Sequence, residues 1–181
     1  MPFPRDHKYT AEEFFKLTPE NDSERYELIN GEIFAQAAPS TSHQRITGGI
    51  YRKIGNFIES NKGKCEPFIS PYDVKLDDDT VVQPDIAVIC DSSMLDDKRC
   101  NGAPDFIIEV TSSNYTHDYV EKLALYKNAG VREYWIVDPL YERVMVYFFE
   151  TSSSPNIYTF DMSVPVNIYD GRLSICVKEV L

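Results

Sequence analysis

The sequence predicts a mixed α/β domain, a central β-sheet flanked by helices. Three features of the 181 residues carry that prediction: an Asn30-Gly31 pair between two strand-like runs, a helical stripe of isoleucines between Ile46 and Ile58, and a strand, helix, strand succession across 105–137. The length suits one domain spanning 1–181. A hydrophobic content of 43% and an aromatic content of 13% suffice for a core that needs no disulfides.

The elements follow in order. Thr10 caps a short helix reaching Leu17, with Glu12 and Glu13 in the first turn, where acids suit the positive end of the helix dipole. Strands over 25–29 and 32–36 meet at Asn30-Gly31, because both residues tolerate positive φ. This N-terminal helix and hairpin occupy 9–36. Pro39-Ser40-Thr41-Ser42 breaks the chain and offers N-caps for a helix from His43 to about Ser60. Its buried stripe is Ile46, Ile50, Ile54, Phe57 and Ile58, at helical spacing. The opposite side carries Arg45, Gly48, Gly49 and Arg52, with Lys53 beside them.

A strand pair over about 66–76 and 80–90 turns at Asp77-Asp78-Asp79. That turn reads as solvated, since the rest of a calcium-binding pattern is missing. A strand over 105–110, a helix over about 116–129 with Gly130 at its end, and a strand over 131–137 closed by Asp138-Pro139 fit a right-handed crossover unit. A strand over 143–149 completes a core of 39–150. After the loop at 152–155, the weakly alternating segment 156–180 is expected to add edge strands.

Composition excludes several classes. No apolar run approaches a membrane span, and MPFPRDHKYT holds no hydrophobic signal core, so a cytoplasmic protein is expected. Cys65, Cys90, Cys100 and Cys176 form no CxxC pair and no zinc-like spacing, and are expected as reduced thiols. A net charge of −11 argues against coating nucleic acid through global electrostatics. Either a local basic strip exists or DNA is not the partner. The most basic stretch is 43–64, where Arg45, Arg52, Lys53, Lys62 and Lys64 face one acid, Glu59.

The chemistry converges on a few acids. Pro84-Asp85 opens the apolar run Ile86 to Cys90, and Glu109 sits inside Phe106 to Val110. A carboxylate in such a strand is costly to bury without a cation or a donor. Two of them at adjacent strand ends suit Mg²⁺, which takes one or two carboxylates and keeps several waters; Mn²⁺ would serve as well. Asp118, Lys122 and Tyr126 lie four apart and share one helical face. Together these suit phosphodiester hydrolysis. Asp85 and Glu109 would hold the metal, and Lys122 would stabilise developing charge or orient a water. Glu27 or Glu32, flanking the Asn-Gly turn, would complete the shell. His43 would touch a phosphate or assist proton transfer. Arg45, Arg52, Asp118 and Tyr126 are candidates for substrate contact.

A series of segments resembles one family: Tyr26 to Ile33, Ala38 to His43, Gln83 to Val88, Ala103 to Val110, the Asp118, Lys122, Tyr126 spacing, and Ala129 to Pro139. The chain is similar over about 9–149 to the Uma-type family of restriction endonucleases, within the PD-(D/E)XK superfamily. The resemblance implies a restriction-endonuclease-like core, a mixed central sheet flanked by helices with a divalent metal at one end. It places the superfamily Asp at Asp85 and the Asp/Glu at Glu109. The superfamily lysine is expected two residues later, where Thr111 stands. The resemblance implies that the charge comes from the next helix, at Lys122. It also implies a DNA substrate and a homodimer, with no membrane and no organic cofactor. The alternative is a nuclease fold without catalysis, acting as a binding or assembly module. The position of Lys122 discriminates between them.

Overall fold

A computed structural model describes residues 3–4, 6–18, 24–111 and 115–181, with the side chains of 115–120 outside that description. Thr10 caps α1 (Ala11–Leu17) in a capping box with Glu13, satisfying donors at both ends of the first turn. β1 (Arg25–Ile29) and β2 (Glu32–Gln36) form the hairpin. Asn30 and Gly31 take φ of 50° and 78°, the two positive values that a tight hairpin turn needs. Ser40 caps α2 (Thr41–Ser60) through the amide of His43, so this helix starts two residues before the expected position.

The long strand pair is present but broken. Pro71 and Pro84, which lack an N–H for the ladder, divide its arms into β3 (Glu66–Ile69), β4 (Asp73–Lys75), β5 (Val81–Val82) and β6 (Ile86–Ile89). The outer halves pair as Glu66↔Ile89 through Ile69↔Ile86, and the inner halves as Val74↔Val82. The register slips by one residue between them. The strand pair is thereby divided between two sheets: the inner halves join β1, β2 and β7 (Arg99–Asn101) in the order β2-β1-β5-β4-β7.

The outer halves join a six-stranded sheet with β8 (Phe106–Val110), β9 (Glu133–Asp138), β10 (Arg143–Phe148) and β11 (Asn156–Thr159), in the order β11-β10-β9-β8-β6-β3. β8 and β9 are parallel and are linked through α3 (Tyr115–Ala129), as the crossover pattern predicts. Alternation sorts the faces of this sheet. Ile86, Val88, Phe106, Ile108 and Val110 pack with the isoleucines of α2, and Ala87, Ile89 and Ile107 pack with Tyr126 of α3. No helix among the described residues is long and apolar enough to cross a membrane.

Three other expectations need correction. Cys65 and Cys90 are disulfide-bonded, and only Cys100 and Cys176 are free thiols. Cys65 precedes β3 and Cys90 follows β6, so the Glu66↔Ile89 pairing sets them opposite each other; that neighbourhood comes from register, which spacing along the chain does not reveal. The tail is more than an edge. β12 (Ser163–Pro165) and β13 (Ser174–Cys176) form a two-stranded sheet of their own among the described residues, while Phe160, Val164, Val166, Ile175, Val177 and Val180 are buried with the α2 isoleucines. Buried Glu133 pins this segment, accepting from Trp135 Nε1, Asn167 Nδ2 and the Ile168 amide.

The side of α2 expected to be open is also partly covered. A Cβ on Gly49 would lie 2.4 Å from Val180 Cβ, whereas one on Gly48 would meet nothing within 4 Å, and Lys53 bonds Glu179. Gly49→Ala should therefore destabilise by about 1–3 kcal/mol through overpacking. Gly48→Ala should stabilise by roughly 0.5–1 kcal/mol through helix propensity. Urea unfolding midpoints of the two variants test the contrast, and equal shifts would contradict the packing described.

Candidate active site

The Ile86↔Ile108 pairing sets the position of the two central acids. Asp85 lies one residue before Ile86 and Glu109 one residue after Ile108, so an antiparallel ladder places them side by side. Both fall on the face shared with Ala87 and Ile107, toward α3. The Asp85 amide donates to Glu109 Oε2 at 3.4 Å, and the Val110 amide donates to Asp85 Oδ2 at 2.7 Å. The bend at Pro84 is held by Ser70 N donating to the Asp85 carbonyl at 3.1 Å.

Lys122 comes from α3 and is buried. Its Nζ lies 3.0 Å from Glu109 Oε1 and 3.1 Å from Glu27 Oε1. Glu27 reaches the cluster from the other sheet and also accepts from the Gln83 amide at 2.9 Å. Tyr126, one turn after Lys122, donates to Glu109 Oε1 at 2.7 Å. His43 approaches from the first turn of α2, with Nε2 3.0 Å from Asp85 Oδ2. Side-chain exposures of 15% for Asp85 and 12% for His43, against 6% for Glu27 and 8% for Lys122, make the first pair the opening and the second the back wall.

The structure thus brings together Asp85, Glu109, Lys122, Glu27, His43 and Tyr126. It does not bring Glu32, whose carboxylate is bonded to Lys8 Nζ at 2.7 Å. The hairpin tip is tied elsewhere, by Tyr9 N to Gly31 O and by Gly31 N to Asp79 O. Arg45 and Arg52 are exposed on α2 and make no contact with the cluster among the described residues. The Asp118 side chain lies outside the described residues. Tyr126 is 0% exposed, which corrects its expected contact with substrate: it stands behind Glu109. Sequence reasoning missed the amides of Gln83 and Val110, because backbone donors carry no side-chain signature.

The electrostatics follow from burial. Burial pushes the Glu109 carboxyl up to about 7, with Lys122 and Tyr126 opposing and Asp85 and Glu27 adding to the rise. Burial opposes charge on His43, but the hydrogen bond and charge of Asp85, helped by Glu109, outweigh it and raise its pKa. Burial likewise holds the Tyr126 hydroxyl protonated, well above its ordinary range.

The donor set fits a divalent cation. Each carboxylate has one oxygen committed to two protein donors: Asp85 Oδ2 to Val110 N and His43, Glu109 Oε1 to Lys122 and Tyr126, Glu27 Oε1 to Gln83 N and Lys122. Asp85 Oδ1 and Glu27 Oε2 have no donor among the described residues, and Glu109 Oε2 has only the long contact from Asp85. Among the described residues no three His, Cys, Asp or Glu side chains form a ready cage. A divalent ion such as Mg²⁺ takes one or two carboxylates and keeps its waters, and Asp85 and Glu109 are the residues that could hold it.

Comparison with known proteins places the chain in a wider group. The model of the Uma2 family, described as "Putative restriction endonuclease", matches residues 11–167. The fold is similar to that of a crystal structure from Anabaena variabilis described as a "putative nuclease", at 22% identity and a TM-score of 0.78, covering 94% of this chain and 96% of that one. No curated protein matches the chain.

The raised groups give a pH prediction with a definite sign. Folded Glu109 binds its proton more tightly than the unfolded carboxyl, so its contribution is present below about pH 4.5 and lost as pH rises to about 7. His43 has the same sign, its contribution present below pH 6.5 and lost as pH rises through its raised folded value. In EDTA, the melting temperature should fall between pH 5 and 8, and Glu109→Gln should flatten that slope. Scanning fluorimetry at several pH values measures both. A native melting temperature that rises over this window would refute the electrostatics.

Proposed function

The chain belongs to the Uma2 family, and on that premise we propose that it is a Mg²⁺-dependent endonuclease hydrolysing phosphodiester bonds in DNA. The observation that carries this reading is the position of Lys122, whose ammonium lies 3.0 Å from Glu109 although Thr111 occupies the usual lysine position. A nuclease of this superfamily's kind needs a cation-binding acid pair beside a basic side chain, and the placement of Lys122 beside Glu109 and near Asp85 supports that reading.

A divalent cation on Asp85 and Glu109 would supply Lewis acidity toward a phosphate oxygen and would acidify a bound water. The protein supplies the rest. Lys122, held by two carboxylates, sets its Nζ beside Glu109, where it would oppose the negative charge that grows on a phosphate held at that end. Val110 N and His43 fix Asp85. His43, at the opening, would bring an imidazole proton near a phosphate or leaving oxygen. Arg45 and Arg52, exposed further along α2, would offer cations to flanking phosphates, a local basic strip on an acidic chain. A symmetric pair of chains would let each site address one strand.

Supercoiled plasmid incubated with Mg²⁺ or Mn²⁺ should be nicked by the native chain and protected by EDTA. Asp85→Asn, which retains an acceptor for Val110 N, should abolish nicking, and Lys122→Gln should slow it by about 10²–10³-fold. Nicking unaffected by Asp85→Asn would place the activity elsewhere. A native chain that binds plasmid without cutting it would favour the binding-module alternative.

A further inference from the structure

Tyr126 is a phenol with no solvent exposure, set on α3 one turn past Lys122. Its ring meets Tyr134 edge-on, with centroids 4.9 Å apart, so the ring is held by packing as well as by its helix. Its hydroxyl and Lys122 Nζ converge on the same atom, Glu109 Oε1, at 2.7 Å and 3.0 Å. A carboxylate oxygen offers about two lone-pair sites, and both on Oε1 are taken. Among the described residues the one donor to Oε2 is the Asp85 amide at 3.4 Å, which leaves it capacity and places it on the Asp85 side.

The two donors on Oε1 differ in what they can enforce. Lys122 is a compact charge on a flexible stem, shared between Glu109 and Glu27. It attracts a carboxylate without selecting how the group is rotated. The terminal torsion of a glutamate is broad and roughly two-fold, so charge alone leaves Glu109 free to present either oxygen, or both. A hydroxyl on a packed ring accepts only one orientation.

We propose that Tyr126 is a positioning residue for the cation site, saturating Glu109 Oε1 so that Glu109 binds the cation through Oε2 alone. The proposal rests on the reading of Asp85 and Glu109 as the cation ligands. It assigns Tyr126 a task that contact with substrate does not explain, and it accounts for the spacing of four between Lys122 and Tyr126: the two donors must reach one oxygen from the same helical face.

Mn²⁺ titration of the protein without DNA tests this, by calorimetry or by the electron paramagnetic resonance signal of free Mn²⁺. Tyr126→Phe removes one oxygen and keeps the ring. It should weaken Mn²⁺ binding by about 10–100-fold, as loss of a partner behind a metal ligand does. Tyr134→Phe, a buried neighbour without a bond to Glu109, should leave the affinity unchanged. In cation-induced infrared difference spectra, the splitting between antisymmetric and symmetric carboxylate stretches should narrow in Tyr126→Phe, as binding through both oxygens becomes available. Thermal unfolding of both variants should stay within a few degrees of the native chain. Equal Mn²⁺ affinity in native protein and Tyr126→Phe would overturn the proposal and leave the cation site standing. Equal weakening by both variants would overturn it in favour of general packing. A native chain that binds no Mn²⁺ would remove the cation reading and this inference together.

Discussion

The buried ammonium of Lys122 ties the molecule together. It sits between Glu27 on one sheet and Glu109 on the other, and it is delivered by the helix that links two strands of the second. A buried charge of either sign is costly unless it is paired and hydrogen-bonded. Three carboxylates are gathered at this end of the sheets, and Lys122 is the cation in contact with two of them. Removing it would leave Glu27 and Glu109 facing each other in a dry setting. The arrangement of β1, β8 and α3 at this end is therefore an electrostatic solution as much as a packing one. The apolar contacts of Ile29, Ile107 and Tyr126 hold the backbones at the separation the charges require.

That solution carries an excess of acid. Glu27, Asp85 and Glu109 face Lys122 and His43, and burial raises the Glu109 carboxyl, with Asp85 and Glu27 adding to the rise. Structural ion clusters usually approach neutrality. Here, among the described residues, one oxygen of each carboxylate is committed to two donors and the other has at most one long contact. The same logic separates the acids by task. Glu27 holds Lys122 at the back, Asp85 and His43 form the opening, and Glu109 spans the two.

Distant parts of the chain protect this geometry. The disulfide between Cys65 and Cys90 secures the far end of the β3–β6 ladder whose near end carries Asp85. The C-terminal segment closes over α2, where Gly49 admits Val180 at close range. His43 thereby projects from a helix clamped on two sides, by the six-stranded sheet and by the tail.

Much of the local structure is legible in the residues themselves, because turn chemistry and periodicity are short-range properties. Asn30-Gly31 specifies the hairpin, the isoleucine period specifies α2, and Gly130 ends the crossover helix. Asp85, Glu109 and Lys122 stand out because an acid in an apolar strand and a helical spacing of four are visible without coordinates. What sequence could not decide depends on register and on approach from afar. The expected 66–90 hairpin divides between two sheets because two prolines interrupt both arms at matching places. The choice of Glu27 over Glu32 turns on which strand of the hairpin meets Gln83 and Lys122, β1 and not β2. The disulfide needs the β3–β6 register, and the role of Tyr126 needs the knowledge that its helix is buried against Glu109. A chain specifies its own torsions and periods locally. Which oxygen meets which donor is settled only when elements far apart in sequence pack at fixed distance.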